Sequence, residues 1–197
     1  MGLIVEKDER DGYRYDAAIK GGDTTFWAEV VGTIGTDTTG INRTLRVNAD
    51  RLHSFLQHIY GNYEFSLNVP VNPDSTTDAS WGLRSPKEDT TVTDTGTRGG
   101  GVYFEMDTSA VFRSVSYDDF GNRERTTITW DSDWSGRQIR FQIRWEQEDV
   151  KFLVNDSVVS THDSAIPTRP KPLELRNGAA SNIDVAYVEV SQAGAII

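Results

Sequence analysis

The sequence predicts an all-β protein: an antiparallel β-sandwich with one short helix. Apolar and polar residues alternate with a period of two in several segments, which is the pattern of strands that bury one face. Turn-forming residues separate these segments at short intervals. The 197 residues are enough to bury one core, and they show no internal repeat. We therefore expect residues 1–197 to form a single sandwich domain.

The clearest alternation lies in residues 139–145, "IRFQIRW", and the apolar segment 150–154 follows it directly. In the first segment Ile139, Phe141 and Ile143 share one face, while arginine and glutamine occupy the other. An antiparallel sheet with one wet side has this pattern. Further strands are expected at residues 63–69, 102–107, 126–130, 173–177 and 183–192.

Residues that favour turns lie between these predicted strands. Asn155 and Asp156 tolerate left-handed backbone geometry and are expected to close a hairpin. Similar polar clusters predict turns at 118–122, 131–136 and 146–149, and polar loops near 72–80 and 85–99.

One helix is predicted over residues 49–61. Asp50 is placed to cap it and Gly61 to end it. The apolar residues between them recur at helical spacing: Leu52, Phe55, Leu56 and Ile59.

Residues 1–45 fit the pattern less clearly. They are expected to form either outer strands of the same sandwich or an arm that contacts a neighbouring molecule.

The charge of the chain narrows the classes of partner. A net charge of −10 and a pI of about 4.7 would repel DNA or RNA, so nucleic-acid binding is not expected. Asp outnumbers Glu by 19 to 11 and Arg outnumbers Lys by 15 to 5, as in halophilic proteins that work in concentrated salt. An acidic protein from a high-GC genome would have the same bias.

Several classes of protein are excluded or not expected. The chain has no cysteine, which excludes disulfides, a thiol nucleophile and cysteine-based metal sites. Neither a secretory signal peptide nor an apolar membrane span is predicted.

Residues 99–113, "GGGVYFEMDTSAVFR", contain the most suggestive acidic pair. Glu105 and Asp107 lie two residues apart in a predicted strand, so both carboxylates share a face with Tyr103. This arrangement is either half of a hydrolytic active site or the wetter face of a sheet.

Five segments together resemble one fold family: "YGNYEFSLNVP" (60–70), "WGLRSP" (81–86), residues 139–162, "PKPLELRNG" (170–178) and "IDVAYVEV" (183–190). In this order they resemble the concanavalin A-like lectins and glucanases, which include laminin G-like domains and family 16 glycoside hydrolases. The resemblance covers roughly residues 45–192 and implies a concanavalin A-like jelly roll.

The resemblance also implies what the acidic pair should do. In the glucanases of this family a strand carries Glu-x-Asp-x-Glu or Glu-x-Asp-x-x-Glu, with the first Glu as nucleophile and the last as acid/base. Glu105 and Asp107 match the first two positions, but the last falls on Ser109 or Ala110. A chain similar to the glucanases but without the acid/base is expected to bind rather than cleave, unless another strand supplies a carboxylate.

A lectin-like role would use exposed aromatic rings and polar groups around them. The candidate glycan-binding residues are Trp81, Arg84, Tyr103, Glu105, Asp107 and Trp134. Among the aromatic residues Trp134 is expected to be the most exposed, since it lies in a turn, and Trp81 the next. Trp130 and Trp145 are expected in the core.

No cofactor is predicted. The spacing of His53, His58 and His162 does not match a metal site. Acidic turns are weak candidates for holding Ca²⁺. The residues concerned are Asp118, Asp119, Asp131 and Asp133.

Three functions are consistent with these features. The first is a non-catalytic structural or adhesion component of a virus particle, a capsid-surface, turret or tail module, with host glycans as a further ligand. Its partners would be copies of itself, other virion proteins and cell-surface glycans, and it would be assembled in the host cytoplasm. The second is a free carbohydrate-binding lectin module, and the third a divergent glycoside hydrolase.

Overall fold

A strand forms at each of the segments where the sequence predicts one, and further strands form elsewhere. The computed structural model describes residues 13–16, 27–37, 44–68, 79–84, 100–107, 111–177 and 183–191. The first strands among them are β1 (Tyr13–Asp16), β2 (Trp27–Asp37), β3 (Thr44–His58), β4 (Gly61–Asn68), β5 (Ala79–Arg84), β6 (Gly101–Asp107) and β7 (Val111–Tyr117). The others are β8 (Arg123–Ile128), β9 (Gln138–Trp145), β10 (Val150–Val154), β11 (Ser157–His162), β12 (Lys171–Asn177) and β13 (Ile183–Ser191).

These strands form two antiparallel layers. The front sheet has the order β12-β5-β6-β7-β8, and the back sheet has the order β11-β10-β9-β4-β13. β3 joins the layers, because Leu45–Val47 pair with β13 and Asp50–His58 pair with β12. The predicted antiparallel β-sandwich is confirmed.

The core lies between the two sheets. Phe104 on β6 meets Phe141 on β9 and Phe152 on β10, with ring centroids 5.4 and 5.2 Å apart. Trp81 and Phe112 flank Phe104 within the front sheet, each with its ring stacked on that of Phe104. All five rings are buried, and burial of such large apolar surfaces is the main term that holds the layers together.

The predicted helix at 49–61 is wrong, because β3 runs through Thr44–His58. β2 pairs with one edge of β3, and β12 and β13 pair with the other. Pairing with these strands, which are distant in sequence, satisfies the backbone hydrogen bonds of β3. This pairing outweighs the local preference for a helix that the spacing of the apolar residues indicated. A 3₁₀ turn, Ser132–Trp134, lies within the turn predicted at 131–136. The described part of the chain holds no helix that is long and apolar enough to cross a membrane.

The predicted hairpin at 155–157 is confirmed, since Asn155 and Asp156 have positive φ angles of 48° and 67°. The strand predicted at 126–130 begins earlier and ends at Ile128. The predicted loop at 72–80 ends sooner than expected, because β5 begins at Ala79. Residues 72–78 and 85–99 of the predicted loops lie outside the described residues.

Two segments from the first 45 residues pair with the sheets: β1 with β13, and β2 with β3. Whether residues 1–45 also contact a neighbouring molecule stays a prediction.

A buried ion pair anchors the β7–β8 turn to the start of β12. Lys171 Nζ lies 2.5 Å from Asp119 Oδ1, with side-chain exposures of 5% and 3%. Asp119 also accepts hydrogen bonds from the backbone N–H and the hydroxyl of Thr168, at 2.9 and 3.2 Å. Gly100, with a φ of +111°, leaves room for the pair, because a Cβ there would lie 2.9 Å from Lys171 Nζ.

Replacing Lys171 by Met should lower the free energy of unfolding by about 3–5 kcal/mol, because Asp119 would remain buried without its cation. Urea unfolding of both proteins measures the difference. Arg140→Gln is the matched control: it breaks an ion pair with Asp156 whose side chains are 44% and 56% exposed, and it should cost less than about 1 kcal/mol. Equal effects of the two substitutions would contradict this account of the anchor.

Candidate functional site

The acidic pair lies on the outer face of β6. Val102, Phe104 and Met106 point into the core, so the alternate residues of the strand point away from it. The Glu105 side chain is 17% exposed and that of Asp107 is 32% exposed. The structure therefore places both carboxylates on the outer face of the front sheet.

Two arginines from neighbouring strands pair with these carboxylates. Arg113 lies directly opposite Glu105 in the β6–β7 register, and its Nη1 is 3.5 Å from Glu105 Oε1. The same guanidinium donates a hydrogen bond to Asp107, and this bond raises the pKa of Arg113 above its ordinary value. Arg125 on β8 brings its Nε within 3.7 Å of Glu105 Oε1. We call these four residues the arginine–carboxylate network.

A second set of interacting side chains lies on the same face of the front sheet, closer to β12. The Arg84 guanidinium carbon lies 4.8 Å from the centre of the Tyr103 ring, and Arg84 Nη1 is 3.5 Å from Glu174 Oε1. Ser80 donates a hydrogen bond of 3.3 Å to the same carboxylate oxygen. β5 passes close to β6 here, since a Cβ on Gly82 would lie 2.5 Å from Tyr103 Cα.

Exposure rises across this face from β12 to β8. The Glu174 side chain is 3% exposed, that of Arg84 15%, that of Arg113 21% and that of Arg125 44%. A ligand from solution would therefore meet the β7–β8 side of the front sheet first.

Two of the predicted glycan-binding aromatic residues have no ring free to stack on a sugar. Trp81 is fully buried and packs against Phe104 and Phe112, since residues 79, 81 and 83 form the inward face of β5. Tyr103 does point outward, but it is only 2% exposed and lies beneath Arg84.

Trp134 is half-buried and less exposed than its place in a turn suggested. Its ring meets that of Trp130 edge-on at 5.3 Å and that of Phe112 at 6.3 Å. It therefore covers one end of the core. Trp130 is also partly buried against the core, and Trp145 lies within it as predicted.

The acidic turns use their carboxylates to hold the backbone. Asp118 accepts hydrogen bonds from the backbone N–H groups of Phe120 and Asn122, both at 2.8 Å. Burial alone would raise the pKa of Asp118, but the bonds from Asn122 and Phe120 hold it below its ordinary value. Asp119 is paired with Lys171, and Asp131 accepts the backbone N–H of Asp133 at 2.9 Å. Across the described ranges, no group of three or more His, Asp or Glu residues is arranged to hold a metal ion.

A buried histidine lies where the two sheets meet at β8 and β11. His162 is fully buried, with Nδ1 2.9 Å from the Ser116 hydroxyl and Nε2 3.2 and 3.1 Å from the Ser114 and Thr126 hydroxyls. A serine beside a histidine can be a nucleophile, but Ser114 is also fully buried and out of reach of substrate. The cluster therefore joins β11 to β7 and β8.

Comparison with known proteins identifies the fold. No protein-family model matches the chain, and no curated protein matches it. Among solved structures, an apo Crh5 transglycosylase superposes with a TM-score of 0.68 at 14% identity, over 93% of this chain and 85% of that chain. The β-glucanase of Bacillus licheniformis gives a TM-score of 0.65 at 12% identity, with 94% of each chain covered.

The catalytic domain of an endo-1,3-β-glucanase (laminarinase) from Thermotoga petrophila RKU-1 gives a TM-score of 0.61 at 11% identity, over 95% of this chain and 93% of that chain. Identities this low show the fold alone. The concanavalin A-like jelly roll that the sequence predicts is thereby confirmed.

Sequence reasoning missed Arg113, Arg125 and Glu174 as members of the site. The register of the β6–β7 hairpin was the signal for Arg113, because it places this residue opposite Glu105. That strand is hard to recognise, since buried serines at 114 and 116 interrupt its apolar pattern.

The His162 cluster predicts a pH-dependent stability. Burial lowers the pKa of His162 below its ordinary value of 6.5, although the charges of Glu124 and Asp163 oppose this effect. As the pH falls through 6.5 the unfolded chain therefore takes up a proton that the folded chain does not, and the wild type loses stability. His162 contributes at most about 1.4 kcal/mol per pH unit to the slope of the unfolding free energy against pH.

His162→Gln should flatten the dependence of the unfolding free energy on pH between about 7.5 and 5.5, as measured by urea unfolding. Thr161→Ala, at an exposed neighbouring position on β11, is the control and should keep the wild-type slope. A His162→Gln slope equal to that of the wild type would refute the assignment.

Proposed function

We propose that the protein is a non-catalytic carbohydrate-binding protein whose ligand lies on the outer face of the front sheet, along β6, β7 and β8. The observation that carries the proposal is the position of Glu105. Its carboxylate shares a strand face with Asp107, as in a glucanase site, but lies between the guanidinium groups of Arg113 and Arg125.

The arrangement of carboxylates argues against cleavage. A retaining glycosidase needs two carboxyl groups about 5–5.5 Å apart, one as nucleophile and the other as acid/base. Asp107 is engaged by Arg113, and Ser109 and Ala110 cannot supply the acid. Glu174 lies on β12, two strands away at about 4.8 Å per strand, and is buried against Ser80 and Arg84.

The same groups are suited to binding. Guanidinium and carboxylate groups together offer both donors and acceptors, which is what pairs of sugar hydroxyls require. Their mutual ion pairs hold them in place before a ligand arrives, and this lowers the entropy lost on binding. The carbohydrate-active solved structures that share the fold give independent support.

The setting of this activity is a separate part of the proposal. We keep the surface or tail of a virus particle as the predicted setting; the acidic composition, with Arg in excess of Lys, would suit a virus of a salt-loving host. Repetition in a symmetric assembly would let weak sugar contacts act together.

A divergent glycoside hydrolase or transglycosylase is the second candidate. The observation in its favour is that Glu105 and Asp107 occupy one face of a front-sheet strand in a fold similar to those enzymes. It requires an acid/base from another part of the chain.

Binding should depend on the arginine–carboxylate network. Arg113→Gln is expected to weaken binding of whichever glycan the wild type binds by about tenfold, because it releases both carboxylates. Calorimetric titration with a panel of neutral and acidic oligosaccharides measures this. Arg144→Gln, which removes an exposed arginine from the outer face of the back sheet, is the control and should leave affinity unchanged.

The same mixtures are assayed for new reducing ends and for transfer products. Wild type and Glu105→Gln are both expected to leave the glycan intact. Cleavage or transfer by the wild type that Glu105→Gln abolishes would contradict the proposal in favour of the enzyme.

A particle component should form a defined oligomer. Size-exclusion chromatography with light scattering is expected to show a single closed assembly, such as a trimer, pentamer or hexamer, in concentrated salt. A monomer at all concentrations and salt levels would count against the particle setting and leave glycan binding standing.

A further inference from the structure

The outer face of the front sheet has a charge opposite to that of the whole chain. Within the five described strands of this sheet, the registers place five arginines and three carboxylates on the face, which sum to +2, whereas the chain carries −10. The eight residues are Arg84, Arg113, Arg123, Arg125, Arg176, Glu105, Asp107 and Glu174.

Several of these guanidinium groups are held in fixed positions. The Arg123 guanidinium carbon lies 4.2 Å from the centre of the Tyr117 ring, and Arg84 lies over Tyr103 in the same way. Arg113 is held by Asp107 and Glu105. A planar guanidinium fixed in this way can meet an anion with two parallel hydrogen bonds at little entropic cost.

The most accessible of the cations lie side by side on β8. Arg123 is exposed and the Arg125 side chain is 44% exposed. They are two residues apart on one strand face, so their Cα atoms are about 6.5–7 Å apart.

We infer that the ligand is an acidic glycan, whose carboxylate or sulfate groups bind Arg123 and Arg125 while the sugar rings extend toward Arg113. This inference rests on the proposed function and names the substrate class of the same face. The −10 charge of the chain opposes an anion at long range, but this repulsion is screened beyond about 10 Å at 0.1 M salt, whereas direct contact with the guanidinium groups is not.

Glu105 has a particular role in this inference. Its carboxylate competes with the ligand for the guanidinium groups of Arg113 and Arg125. Glu105→Gln should therefore strengthen binding of an acidic glycan, whereas a structural role for Glu105 alone would weaken it.

The test uses the full chain and three oligosaccharides of equal length: an oligogalacturonate, a sulfated dextran and a neutral β-1,3-glucan. The double variant Arg123→Gln/Arg125→Gln should weaken binding of the acidic oligosaccharides at least about tenfold, and by a larger factor than it weakens binding of the neutral one. Arg144→Gln should bind like the wild type. Arg125→Lys keeps the charge but loses the planar guanidinium, so it should bind the acidic oligosaccharides with intermediate affinity. This variant replaces the double variant in the test if the double variant does not fold.

The outcomes separate the two claims. Binding of either acidic oligosaccharide with this arginine dependence supports the inference, and the tighter of the two identifies the anionic group. Binding of the neutral glucan alone overturns the inference and leaves the proposed function intact, whereas binding of no glycan overturns both. Binding of the acidic oligosaccharides that the double variant does not weaken overturns the inference.

Discussion

Contact between the aromatic rings of the two sheets determines which chemistry the front face can display. Phe104 meets Phe141 and Phe152 of the back sheet and stacks on Phe112 of the neighbouring strand. Because side chains alternate along a strand, burying Phe104 and Phe112 forces the residues next to them, Glu105 and Arg113, onto the outer face. A slip of one residue in either strand would exchange apolar rings for charges in the core, which the free energy of folding could not tolerate.

Packing of the core therefore determines which side chains lie on the outer face of the front sheet. Once Glu105 and Arg113 share a face in adjacent strands, their ion pair forms with little further ordering, and Arg125 joins from the next strand. In this geometry the Glu105 carboxylate pairs with the guanidinium groups of these two arginines. A glucanase would need a second carboxyl group at close range to this position, and the sequence has Ser109 and Ala110 where the glucanase pattern carries that group.

The sequence predicted the sandwich because period-two alternation reports burial directly, and β4, β6 and β9 show it. It failed at β3, where apolar residues at helical spacing are outweighed by pairing with β2, β12 and β13, partners that no local pattern reveals. Within the site, alternation placed Glu105 and Asp107 correctly on one face. The arginines that pair with them depend on strand register, and the burial of Trp81 and Tyr103 depends on packing across strands, so neither could be predicted from residue type and spacing.

The central claim is that a glycan binds the outer face of the front sheet intact. Nuclear magnetic resonance of the arginine Nε–Hε groups during titration with an oligogalacturonate tests it most directly, because every arginine reports separately. The account predicts that the signals of Arg113, Arg123 and Arg125 shift together and saturate, that those of Arg140 and Arg144 on the back sheet do not move, and that the oligosaccharide keeps its length. Shifts confined to the back sheet, or shortening of the oligosaccharide during the titration, would contradict it.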